Sequence, residues 1–88
     1  MRSARTNDAA TLALKALAAA FDDQRLAERF LSLSGLTALE LRQRAAEPRL
    51  LAAFLSFLEA HEPDLLAIAE RIDARPEQVV EARRALES

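Results

Sequence analysis

The segment from Pro48 to His61, PRLLAAFLSFLEAH, is too apolar to lie on a protein surface, and the rest of the chain has to be arranged around it. Drawn as a helix at 100° per residue, it puts Leu50, Leu51, Phe54, Phe57, Leu58 and His61 within about 60° of Phe54. Leu55 and Ala53 widen that face to roughly half the circumference, leaving Arg49, Ala52, Ser56 and Glu59 on the other side. A surface helix shows a narrower stripe, so this one is expected at the centre of the fold. Pro48 suits the first helical position, where its missing N–H loses no hydrogen bond.

What surrounds that helix is also helical. Of the 88 residues, 20 are alanine, while Ile68, Ile72, Val79, Val80 and three threonines are the only β-branched ones. That balance favours helix and leaves little for strands. With one glycine, no tyrosine and no tryptophan, the chain lacks sheet turns and aromatic platforms. The expected fold is all-α: one compact domain of about six short helices around the central one. A frayed tail is expected over residues 1–6 and the domain over residues 7–88.

The punctuation sets the boundaries. Asn7 or Asp8 is expected to cap a first helix running to about Phe21, with Ala10, Leu14, Leu17, Ala18 and Phe21 inward. Asp22–Asp23 breaks the run and caps a second helix over residues 24–34, with Leu26, Ala27, Phe30, Leu31 and Leu33 inward. Gly35 closes it in the left-handed conformation. Thr37–Ala38–Leu39–Glu40 reads as a capping box for a short third helix, ended by Pro48. Its face is ambiguous, because Leu39 and Leu41 point about 160° apart. Pro63 opens a fifth helix with Leu65, Leu66, Ile68, Ala69 and Ile72 inward, and Pro76 a sixth. The sixth shows only a narrow stripe, Val79, Ala82 and Leu86, and is expected to be the least stable.

These residues also carry a likeness. Arg29–Phe30–Leu31–Ser32–Leu33–Ser34–Gly35–Leu36, Leu41–Arg42, then Pro48 with Leu51–Ala52–Ala53–Phe54–Leu55 and Phe57–Leu58, resemble a family of small bacterial proteins catalogued only as a domain of unknown function, DUF3572. The resemblance extends to Glu62, Leu65–Leu66, Pro76–Glu77 and Val79–Val80. His61 and Pro63 depart from it, standing where an acidic residue and a residue other than proline are expected. The matching residues pack and cap helices, so the resemblance implies a fold and carries no activity.

Several function classes are weakly supplied. The lone glycine excludes a Gly-rich phosphate loop. With no cysteine, one histidine and scattered carboxylates, no metal, cofactor or catalytic set is expected, and no small-molecule ligand is evident. The net charge of −2 gives no pull toward phosphate backbones. No run reaches 18 uninterrupted apolar residues, and Asp8 and Lys15 interrupt the one stretch that resembles a secretory leader, so a cytoplasmic protein without a membrane span is expected.

Three features remain as candidates. His61 is expected on the apolar face of the central helix, near its negative end, as a partly buried histidine. Residues 62–88 read as a helix-turn-helix that would turn Glu77, Gln78 and Glu81 toward DNA. That stretch holds four arginines against seven acidic residues, which phosphates would repel. The third is the outward face of the first helix, Leu12, Ala16 and Ala19, joined by Leu41, as a surface for a protein partner or a second copy. A non-catalytic interaction or structural module is the expected function, with DNA binding as the alternative.

Overall fold

A computed structural model describes the chain from residue 2 to residue 88, and its side chains from Asp8 onward. Six helices follow one another: α1 (Arg2–Ala20), α2 (Gln24–Ser34), α3 (Ala38–Arg44), α4 (Pro48–Glu59), α5 (Glu62–Arg71) and α6 (Pro76–Glu87). There is no strand among the described residues, so the fold is all-α. The radius of gyration, 11.9 Å, matches the value of about 12 Å for a compact chain of this length.

Helix boundaries follow the local chemistry. The Asp23 carboxylate caps α2 by accepting from the N–H groups of Arg25 (3.1 Å) and Leu26 (3.3 Å). Gly35, at φ +76°, closes α2 by donating to Leu31 O at 2.9 Å. At α3, Glu40 N–H donates to the Thr37 hydroxyl (3.1 Å) and Thr37 N–H donates to Glu40 Oε1 (2.9 Å), a complete capping box. Pro48 and Pro76 each stand first in their helices. Asp73 ends α5 at φ +58°, with Ala74 N–H reaching back to Ala69 O at 2.9 Å, a closure that usually takes glycine. α1 begins at Arg2, ahead of the expected cap at Asn7 or Asp8, because no glycine or proline stands before that point. The expected tail falls on Met1, which lies outside the described residues, and on side chains that do as well.

Gly35 yields the first testable consequence. Open space surrounds the position, so a methyl group there meets nothing within 4 Å and only the positive φ opposes it. Gly35→Ala is expected to destabilise by about 1 kcal/mol, despite alanine's better helix propensity. A urea melt showing a stabilised variant would mean that α2 and α3 do not need the left-handed turn.

α4 is central, as its composition requires. Leu50, Leu51, Phe54, Leu55 and Leu58 are buried. The buried arc, however, is turned by about 60° from Phe54 toward Leu55, so Ala52 is inside while Ala53 is exposed and Phe57 half-buried. α1 and α6 pack along α4 and along each other, and this trio makes the core; α5 covers α4 further along, α2 lies against α1, and α3 is pinned by buried Leu41. α6 is therefore held on two sides despite its narrow stripe of Val79, Ala82 and Leu86. Burial there comes from packing a few residues, Val79, Ala82 and Leu86, against two neighbours.

Four expectations about facing are corrected. In α1 the inward side is Ala9, Ala13, Ala16, Leu17 and Ala20, while Leu14, Ala18 and Phe21 are exposed and Ala10 is half-buried. Leu33 has the right angle on α2, but it lies in the last turn, where nothing covers it. Leu66 sits about 100° from Leu65 on α5 and faces solvent. His61 falls outside α4 altogether: that helix ends at Glu59, and His61 becomes the exposed N-cap residue of α5.

Candidate functional site

The surface ridge read from the sequence is not on the surface. Ala16 is fully buried and Leu41 is 3% exposed, while Leu12 and Ala19 pack half-buried against the core. The reason is steric. The alanine side of α1 admits α4 and α6 to close distance, which buries more atoms than wedging Leu14 and Phe21 between the helices would.

That choice leaves a different stripe outside. Leu14 and Phe21 are 40% and 38% exposed, and Ala18 between them is exposed as well. They stand at i, i+4 and i+7, one continuous helical row. The row continues past Ala20 because Phe21 N–H still donates to Leu17 O (3.1 Å) and Asp22 N–H to Ala19 O (3.2 Å). Arg71 of α5 then fixes this end of α1, donating to Ala19 O and to Asp22 Oδ2, both at 3.0 Å. The guanidinium thereby gives Ala19 O a second donor and places a positive charge at the negative end of the helix dipole. Lys15 and Asp22, both exposed and seven residues apart, flank the stripe on its outer side.

A second cluster joins elements distant in sequence. Asp64 Oδ2 accepts from Arg29 (2.8 Å) and lies 2.7 Å from His61 Nδ1. The Arg29 guanidinium lies 5.3 Å from the centre of the Phe57 ring, and Phe57 leans on Phe30. The cluster therefore clips α2 to the α4–α5 corner over an aromatic floor. Partial burial pushes the Asp64 carboxyl up, but hydrogen bonds from His61 and Arg29, with the Arg29 charge, outweigh it and hold the group below the usual carboxylate value. A carboxyl depressed in the folded state stabilises the fold above about pH 4 and loses that contribution as pH falls through its folded value. Acidification should therefore lower the stability of wild type more than that of Asp64→Asn, with the difference confined below about pH 4. Urea midpoints that track each other for the two proteins between about pH 6 and pH 2 would remove Asp64 from the acid response.

The α5–α6 pair has the order of a helix-turn-helix, with a turn over residues 72–75. Its second helix is occupied: α1 and α4 line it, and among the expected DNA-facing positions Glu77 and Glu81 are exposed acids and Gln78 is half-buried. The Gln78 side chain instead accepts from Arg75 N–H at 2.8 Å, at the start of the helix. A shallow open groove of about 180 Å³ lies between α1 and α6, with Ala9, Leu12, Ala82 and Ala85 as floor and Asp8, Gln78 and Glu81 as rim. Pockets that enclose a small organic ligand run to about 300 Å³ and more.

Among the described residues no polar or charged side chain is buried, no three His, Cys, Asp or Glu side chains converge, and no helix is long and apolar enough to cross a membrane. Fold and surface thus define a small all-α domain with an apolar interior whose chemistry lies on its outside. The chain belongs to the family described as a protein of unknown function, DUF3572, whose model matches residues 6–88. No curated protein and no solved structure matches it.

Of the residues that now stand out, the sequence reading had Leu14, Ala18 and Phe21 as core and missed the pairing of Arg29 with Asp64, which are 35 positions apart. A signal for the first was present. Asp8, Thr11, Lys15 and Asp22 share one side of α1, and the side opposite them carries Ala9, Ala13, Leu17 and Ala20.

Proposed function

We propose that this protein is a non-catalytic interaction module that presents the exposed Leu14–Ala18–Phe21 row of α1 to another protein. The observation that carries the reading is that row itself: Leu14 and Phe21 are exposed together on one helix, with exposed Ala18 between them, whereas Leu33, Leu39 and Leu66 are exposed singly on α2, α3 and α5. The surface charges near the core serve the fold, since Arg29–Asp64, Arg71–Asp22 and Arg83–Glu59 tie separate helices together. Duplex DNA binding through α5 and α6 has less support, because the helix that would enter the groove packs on two neighbours and turns Glu77 and Glu81 outward.

One substitution tests the reading. Ala18→Glu lies on an exposed helix position, where a good helix former costs within about 0.5 kcal/mol. Cross-linking in the native cell, followed by mass spectrometry, should recover a protein contact for wild type that Ala18→Glu loses while its circular dichroism is unchanged. Identical contacts for both proteins would reject the row as the interface. A gel shift with duplex DNA at about 50 mM salt and micromolar protein would put the helix-turn-helix in its place.

A further inference from the structure

We propose that the partner of this row is a second copy of the chain, in an antiparallel α1–α1 pair whose two-fold axis passes beside Ala18. The proposal rests on the reading of the row as an interface, and goes further by naming what covers it. A two-fold contact requires a patch that complements itself, each residue meeting the other member of its own pair. The row has that property. With the axis at Ala18, Leu14 meets the partner's Phe21 and Phe21 meets the partner's Leu14, each within about one residue's rise of 1.5 Å. Ala18 meets its own copy, and a small side chain at the crossing lets the two backbones approach to about 8–9 Å.

The charges obey the same symmetry. Lys15 and Asp22 lie on the outer flank of the row, exposed and seven residues apart, the same spacing as Leu14 and Phe21. A two-fold axis perpendicular to the helices keeps the two outer flanks on one side, so Lys15 faces the partner's Asp22, and Asp22 the partner's Lys15. Lys15 takes part in no ion pair among the described residues. Asp22 gives one carboxylate oxygen to Arg71, and its side chain stays 71% exposed, with the second oxygen available. One sign at each end of a symmetric stripe is what a self-complementary contact needs, and like charges at both ends would have opposed it.

Charge reversal tests the geometry directly. Sedimentation equilibrium at protein concentrations up to about 1 mM should show wild type dimerising weakly, as a contact below the standard interface size does. Lys15→Glu and Asp22→Lys should each self-associate about tenfold more weakly at low salt, since each then faces a like charge twice. Mixed in equal amounts, the two variants should form a heterodimer at close to wild-type strength, because both facing pairs are again opposite in sign. Because the chain has no cysteine, Ala18→Cys adds a reporter: mild oxidation should cross-link it to itself, and Leu33→Cys, exposed on α2, should stay uncrosslinked. Monomeric wild type at about 1 mM, or variants whose mixture is no stronger than either alone, would overturn the proposal. If wild type is monomeric but Ala18→Glu still loses a different protein contact in the cell, the second copy is excluded and the interaction surface stands.

Discussion

Replacing Phe54 by alanine is expected to cost about 3–5 kcal/mol, through lost transfer energy and the cavity left behind. Phe54 has no exposed surface and lies in the middle of the helix that α1, α5 and α6 all touch. The edge of one ring meets the face of the other where Phe30 approaches, centroids 5.1 Å apart at 83°, and Phe57 stacks beside it at 6.1 Å. Such aromatic contacts add about 0.5–1.5 kcal/mol each beyond area burial. A domain of this size has roughly 5–10 kcal/mol of net stability, so the variant should be largely unfolded in modest denaturant. Phe57→Ala should cost less, because Phe57 is half-buried and its ring partly serves as the floor under Arg29. Equilibrium urea unfolding measures both, and a loss below about 1 kcal/mol for Phe54→Ala would mean that α4 is not the centre of the fold.

The boundaries of the fold were legible because capping chemistry is local. Asp23, Gly35, the Thr37–Glu40 pair, Pro48 and Pro76 each act within four residues of the helix end they mark, so spacing alone locates them. The facing of α4 was nearly right because large apolar residues crowd one arc and few alternatives compete. α1 is the opposite case. Leu14 and Phe21 lie on a different side from Ala9, Ala13, Ala16 and Ala20, and weighting the wheel by side-chain size puts Leu14 and Phe21 inward. Packing weighs how closely two backbones approach, and that favours Ala9, Ala13, Ala16 and Ala20, the side opposite Asp8, Lys15 and Asp22. Leu33 failed for another reason. Its angle was correct, but a wheel contains no information on where a neighbouring helix ends. The Arg29–Asp64 clip and the Arg71 contacts to Ala19 and Asp22 join residues 35 to 52 positions apart, which no periodicity can pair.

A pair of substitutions two residues apart on α1 should separate these two weightings by several kcal/mol. Ala16 is fully buried where α1 packs on α4 and α6, so Ala16→Glu forces a carboxylate into an interior that holds no buried polar or charged side chain among the described residues. Burying an unpaired charge and adding volume to a close-packed contact together should cost about 4 kcal/mol or more. Ala18→Glu introduces the same group on the exposed row and should stay within about 0.5 kcal/mol of wild type. Helix propensity is the same for both, so the difference isolates burial. Had the leucine side of α1 been the inner one, the order would reverse: Ala18 would lie beside buried Leu14 and Phe21, and Ala16 would face water. Thermal melts followed by circular dichroism distinguish the two arrangements. Ala16→Glu melting like wild type while Ala18→Glu unfolds would restore Leu12, Ala16 and Ala19 to the surface and remove the Leu14–Ala18–Phe21 row as an interface.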